Sequence, residues 1–415
     1  MSWCHRYSFG LLSVLCSASV ARAGSPGVTD TEIVLGQVAA FSGASAGLGV
    51  EYWRGTQAML QQANDAGGVF GRKMRLELCD DEYEPTSAAA CTNELVRKRH
   101  VFILVNSVGT PTIRRIAELL ESWASENALL FGNFTGAQFQ REMPFAPRVF
   151  NVRASYHQEA VTHVRACLAA GKKAIGTFVQ DDVFGLDGEE GVRIALRAKG
   201  LFIAGRTNYP RGASFDIDFA KQVATLRTAG VNCVSTTGSY QAIAAFVRAV
   251  RAVGWNVPIY GMSFTGADPL LSLLSKVPGG TSGVYISQVV PSPDDTSLPL
   301  VNEYRAAMDK YSPVLPPPPF AAGGYVPPTN YSYGSLEAYL NTKVLVEVLL
   351  KSTPNLTCSG FQQAAEHIKG LDVGLGRQDT ISFSPVTSAE TRYNHQALNS
   401  VWLTTVQSNR WVVVR

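Results

Sequence analysis

The sequence predicts an α/β protein of two lobes built on mainly parallel sheets. Three observations carry that reading. Strand-length apolar runs alternate with helix-length amphipathic runs, the alternation begins afresh near residue 157, and Gly pairs such as Gly67-Gly68 and Gly279-Gly280 close the segments. At 415 residues, 46% hydrophobic and 17% charged, the chain is long enough for two cores.

The chain opens with the layout of a secretory signal. Arg6 supplies the positive start, residues 9–20 the apolar stretch, and Ala21-Arg22-Ala23 a small-x-small cleavage pattern, so residues 1–23 are read as a signal peptide. Cys16 raises the alternative of a lipoprotein, but Leu15 stands where a small residue should precede the modified cysteine, so lipoprotein anchoring is not the expectation. The formal charge of +3 falls to about +1 once Arg6 and Arg22 leave, and no Lys/Arg-rich run follows. That excludes an electrostatic case for nucleic acid. Later apolar runs are too short to span a bilayer, so a soluble exported protein is expected, with no direct membrane insertion after signal removal.

In order, the spacing predicts a strand at 32–39, then a helix at 50–66 with Trp53, Ala58, Leu60 and Ala63 available for burial. A strand at 73–79 and a helix at 85–99 follow. The next stretch, VFILVNSVGTPTI over 101–113, reads as strand, loop and helix, with Thr110 as N-cap and Pro111 opening the helix. Free N–H groups at that helix start, beside Ser107, Thr110 and Thr112, suit a carboxylate; a plain βα turn whose hydroxyls only cap the helix is the alternative. A strand at 128–132 ends the first set.

The second set runs helix 157–170, with Val161, Val164 and Leu168 on one face, then strand 174–180, helix 186–198, strand 201–208, helix 215–229, strand 231–237, helix 240–253 and strand 258–262. Past Gly279-Gly280 come a strand at 284–290, a helix at 300–310 and a Pro/Gly-rich loop at 313–328. A helix at 333–350 presents Leu336, Tyr339, Leu340, Val344 and Val348. Short strands at 380–383, 401–406 and 411–414 close the chain. Too little remains for a third lobe, so these segments are expected to be shared between the first two.

Five cysteines lie beyond the signal, with no metal-site spacing. Cys79 and Cys91, twelve positions apart, are a possible disulfide in an oxidising compartment. Cys167, Cys233 and Cys358 read as small core residues.

Enzyme chemistry finds little support. Gly43-Ala44-Ser45-Ala46-Gly47 fits a GxSxG nucleophile elbow, but no Asp and His partners are specified, and a flexible loop near a ligand explains it better; a hydrolase is a remote alternative. Asp80-Asp81-Glu82 and Asp181-Asp182 sit at strand ends as solvated or capping acids, and neither a metal nor a cofactor is expected. Binding fits better. The strands end in small, hydroxyl or aromatic residues, among them Phe41-Ser42-Gly43, Ser107 to Thr110, Phe134-Thr135-Gly136, Phe184-Gly185, Gly238-Ser239-Tyr240 and Ser263-Phe264. Two such rims facing each other would form a ligand cleft.

Several of these segments, IVLGQVAAFSG, NDAGGVFGRK, DDEYEP, VNSVGTPT, FGNFTGAQF, VFNVRASYHQEA, FVQDDVFG, YSYGSLEAY and HQALNSVWLT, occur in an order and spacing that resembles the leucine/isoleucine/valine-binding family. These are solute-binding proteins of branched-chain amino acid type ABC importers, with the type I periplasmic binding fold. The resemblance implies two Rossmann-like lobes joined by three crossover segments and closing on a small ligand. It places lobe 1 at about 30–152 plus 291–385, and lobe 2 at about 153–290 plus 386–415. It implies that Ser107, Gly109 and Thr110 hold a ligand carboxylate, that Phe134, Thr135 and Gly136 continue that wall, and that Phe184 and Tyr240 face them from lobe 2. One departure stands out: where the family commonly has an acid for the ligand ammonium, this chain has Ser263. Either Asp181 or Asp182 takes that role, or the ligand is a carboxylate or amide-like molecule without an ammonium, because a buried unpaired charge costs several kcal/mol. The expected function is a periplasmic, non-enzymatic component that captures a branched-chain or other apolar amino acid, or a related carboxylate or amide, for a membrane permease. A periplasmic sensor feeding a receptor is the alternative.

Overall fold

A computed structural model describes residues 25–123, 128–376, 379–386 and 394–414. The expected signal at 1–23, with Cys16, lies outside them.

Two sheets organise the chain. The first has the order β2-β1-β3-β4-β5, all parallel: β1 (Glu32–Ala39), β2 (Lys73–Asp80), β3 (Leu104–Val105), β4 (Leu130–Phe131) and β5 (Val149–Phe150). All of β1 after Glu32 is buried, as for a strand covered on both faces, and its polar Gln37 side chain donates to Asn106 O at 2.8 Å. The second sheet has the order β12-β11-β10-β9-β8-β6-β7. In it β6 (Ile175–Gln180), β7 (Gly205–Tyr209), β8 (Cys233–Thr237), β9 (Ile259–Gly261) and β10 (Val284–Gln288) are parallel, while β11 (Trp402–Gln407) and β12 (Arg410–Val413) add an antiparallel edge.

Around the first sheet lie α1 (Ala46–Asp65), α2 (Pro85–Thr92) and α3 (Thr110–Ser122). Around the second lie α4 (Tyr156–Ala169), α5 (Val183–Arg197), α6 (Ala220–Thr228), α7 (Tyr240–Ala252) and α8 (Ala267–Leu274). The chain then returns: α9 (Pro299–Tyr311) and α10 (Tyr333–Lys351) pack on α1, and α11 (Cys358–Glu366) packs on α10. It therefore passes between the sheets three times, after β5, after β10 and before β11. Two of those passages lie side by side, with Asn151 N–H donating to His395 O at 2.7 Å and Leu398 N–H to Val152 O at 2.9 Å.

Several expectations are corrected by packing. The strand at 380–383 reduces to one bridge between Ile381 and Leu371. The helix expected at 85–99 ends its α-helical part at Thr92 and continues as a π-helix over Asn93–Lys98. Val161, expected inside, is 48% exposed; α4 instead buries Tyr156, Ala160, Val164 and Cys167. Thr110 does not cap α3. Gly109 precedes the helix with φ of 116°, a conformation that L side chains rarely adopt, and Thr110 is its first residue. Cys167 and Cys233 are buried as expected but joined in a disulfide that ties α4 to β8. Cys79 and Cys91 are also bonded, and Cys358 is free.

Candidate functional site between the lobes

Each sheet reverses its order once, between β1 and β3 in the first and between β6 and β8 in the second. Loops leaving the carboxyl ends of neighbouring strands there diverge to opposite faces, which opens a crevice. Ser107, Gly109 and Thr110 follow β3, Phe134, Thr135 and Gly136 follow β4, Phe184 follows β6, Tyr240 follows β8, and Ser263 follows β9. The two crevices meet.

At the meeting point the rings of both sheets' loops interlock. Phe264 lies 4.8 Å from Phe134 and 4.7 Å from Phe184, and 6.2 Å from Tyr83. Phe134 in turn stacks on Tyr52 at 4.2 Å. Beside them Thr110 Oγ1 bonds Thr135 Oγ1 at 2.8 Å and Tyr156 Oη at 3.2 Å. Gly136 leaves room for that approach, since a Cβ there would stand 2.6 Å from the Tyr156 ring. Burial pushes the Tyr156 hydroxyl up to about 12, so it remains a neutral donor. Tyr240 lies further out, its hydroxyl accepting from Gly47 N–H at 3.3 Å and its ring 6.4 Å from Tyr325.

Under the aromatic cluster lies a buried ion network that the sequence reading missed. Arg153 pairs with Glu159 at 3.0 Å and with Glu337 at 3.2 Å. Ser263 belongs to this network: its N–H and Oγ donate to Glu159 at 2.7 and 3.0 Å, and it accepts from the Arg153 guanidinium. Ser287 adds a 2.6 Å bond to Glu159. Burial opposes the Arg153 charge, but Glu337 and Glu159 outweigh it and raise its pKa. Burial raises the Glu337 carboxyl despite the pull of Arg153. The signal for Glu337 was available, because it is an acid between Leu336 and Ala338 in the part of α10 where every residue from Ser335 to Thr342 is buried.

Asp181 and Asp182 are not brought to this cluster. Asp181 is exposed and accepts from Asn208 at 3.0 Å. Asp182 caps α5, accepting from Phe184 N–H at 2.9 Å, and pairs with Arg211 at 3.4 Å. The acids after β2 shape a turn: Asp80 accepts from Phe41 N–H at 2.8 Å and Asp81 from Tyr83 N–H at 2.9 Å. Among the described residues no helix is long and apolar enough to cross a membrane.

Two open α/β lobes, three crossings and a site where their strand ends meet define the architecture of the solute-binding proteins. The chain belongs to the periplasmic binding protein family, whose family model matches residues 32–410. A curated relative, the amino acid binding protein of Pseudomonas aeruginosa, is 25% identical over 310 residues, 74% of this chain and 77% of the relative. The crystal structure of a possible leucine/isoleucine/valine-binding protein from Rhodopirellula baltica SH 1 superposes with a TM-score of 0.80 at 28% identity, covering 93% of this chain and 96% of that one. A branched chain amino acid ABC transporter protein from Thermus thermophilus, solved with bound valine, shares the fold at a TM-score of 0.77 and 18% identity, over 94% and 96% of the two chains.

Proposed function

We propose that this protein is the periplasmic solute-capturing component of an ABC importer. It takes a small carboxylate-bearing ligand, a branched-chain or other apolar amino acid or a close relative, and presents the closed form to a membrane permease. The observation that carries the reading is the convergence of both sheets' carboxyl-end loops on one interlobe site, at the place where each strand order reverses. Homology to an amino acid binding protein supports the ligand class. Two disulfides suit an oxidising compartment such as the periplasm.

In this reading lobe 1 comprises about 30–152 with 291–385, and lobe 2 about 153–290 with 386–415. The contact of Tyr156, from lobe 2, with Thr110 and Thr135 forms only when the lobes are together. Parting the lobes uncovers those hydroxyls, with Ser107 and the amide groups at the start of α3, for the ligand carboxylate. Phe134 and Gly136 continue that wall, and Phe184 and Tyr240 supply the apolar face of the opposite lobe. Closure is then a population shift driven by contacts that the ligand makes only in the closed form.

A thermal-shift screen of refolded, ligand-free chain against the twenty amino acids and a panel of aliphatic and aromatic carboxylates tests this. Ligand at 100 times its Kd adds about 2.7 kcal/mol of stability. A raised midpoint with one or a few compounds, recovered chemically unchanged, is the expected result. No shift with any compound sinks the reading.

A further inference from the structure

Behind the aromatic cluster a small cavity lies between the lobes, lined in part by Glu51, Phe134, Asp268, Gln288, Tyr333 and Glu337. Its walls carry more acid than base. Glu51 is satisfied, by Arg54 at 2.8 Å, by Tyr325 Oη at 2.9 Å and by Ser332 Oγ at 2.7 Å. Glu337 shares its one cation, Arg153, with Glu159. Asp268 accepts a backbone bond from Tyr333 N–H at 2.9 Å, and the charges felt there, Glu51 and Asp294, are both of like sign. Burial, with those charges, pushes the Asp268 carboxyl up to about 7, as expected for a carboxylate without a counter-ion. A second, independent observation points the same way. Gln288, 2% exposed, has an amide Nε2 with no hydrogen-bond partner, a donor held in a wall where an unpaired polar group is costly.

We infer that Asp268 and Glu337 receive the ammonium group of the ligand, and that Gln288 donates to an oxygen beside it. The cavity thus selects a primary amine with an adjacent carbonyl or carboxylate oxygen, an amino acid or its amide, over the deaminated acid. This rests on the capture function proposed above and answers the question raised by Ser263, which is occupied with Glu159 and Arg153. The acid comes from α8 and α10 instead of the loop after β9. In the closed arrangement the cavity measures about 10 Å³, roughly one water, so the ligand enters as the lobes part. A pocket of about 310 Å³, walled by Tyr240 and Tyr325, adjoins it through Pro269 and offers the way in.

The test uses matched probes: leucine, leucinamide, 3-methylbutylamine and 4-methylpentanoate, with the corresponding phenylalanine set, measured by thermal shift and calorimetry on the full mature chain. The amino acid or amide of one set should bind at least about tenfold more tightly than its deaminated acid, and Asp268→Asn should remove that preference. Glu337→Gln should act in the same direction; because it also disturbs Arg153, the unliganded midpoint of each variant is recorded as a folding control. Equal binding of the deaminated acid, or an Asp268→Asn variant that keeps the preference, overturns this inference and leaves the capture function standing. Failure of every probe and of the wider carboxylate screen overturns both.

Discussion

Arg153 is the residue on which the interior of the site depends. It is buried, and its removal would strand Glu159 and Glu337 without a cation. Arg153→Met is therefore expected to destabilise the protein by about 3–5 kcal/mol, read from urea unfolding, because desolvated charges are left uncompensated. A loss under 1 kcal/mol would mean that the carboxylates are protonated or hydrated in the variant. Gly109 is a second single-residue dependency. A Cβ there would stand 2.4 Å from Thr112 Oγ1 and 2.7 Å from the Tyr83 ring, at a φ that strains any L residue. Gly109→Ala should cost about 2 kcal/mol or more, and a neutral result would show that the loop before α3 can relax.

Among the elements, α4 is fixed at both ends. Ser155 and Gln158 form a reciprocal capping box at its start, and Cys167 near its end is bonded to Cys233 in β8. The box matters because it orients the first turn, which carries Tyr156 and Glu159 into the site. Ser155→Ala is expected to lose about 1 kcal/mol. The two disulfides should differ with the loop each closes. With sequence separations of 66 and 12, loss of the Cys167–Cys233 bond should cost about 4 kcal/mol and loss of Cys79–Cys91 about 3. Paired Cys→Ala variants, compared by denaturant midpoint, check the ranking; a reversed order would mean that local packing, not loop closure, decides.

For the whole molecule, pH dependence follows from buried acids. Asp81 is fully buried, and burial pushes its carboxyl up to about 8, far above the ordinary aspartate value near 3.9. Its contribution to stability is complete below the unfolded value and is lost as pH rises through the folded one, because the unfolded chain ionises first. Urea midpoints should therefore decline between about pH 4 and 8, and the decline should be shallower in Asp81→Asn, which retains an acceptor for Tyr83 N–H. A slope unchanged by the substitution would assign the effect to other groups. Hinge closure has its own whole-molecule signature: any compound that raises the thermal midpoint should also reduce the radius of gyration in solution scattering.

Local pattern determined the two α/β sets, the burial of Trp53, Ala58, Leu60 and Ala63 on α1, and the apolar face of α10 from Leu336 to Val348, since three- and four-residue apolar spacing already specifies which side of a helix leaves water. Twelve-residue spacing likewise brought Cys79 and Cys91 within reach of each other. The partner of Cys167 was illegible, because 66 positions separate it from Cys233 and only the packing of α4 on the second sheet makes them neighbours. The ion network was hidden for the same reason. Arg153 and Glu159 lie six positions apart on one segment, but Ser263 and Glu337 come from two others, each ordinary by itself; Ser263 is brought in by the packing of α4 on the second sheet, and Glu337 joins only when the lobes come together. Sequence periodicity reports which face of an element is buried; which charges meet there is decided by the tertiary arrangement, because pairing depends on distances between segments that no local pattern encodes.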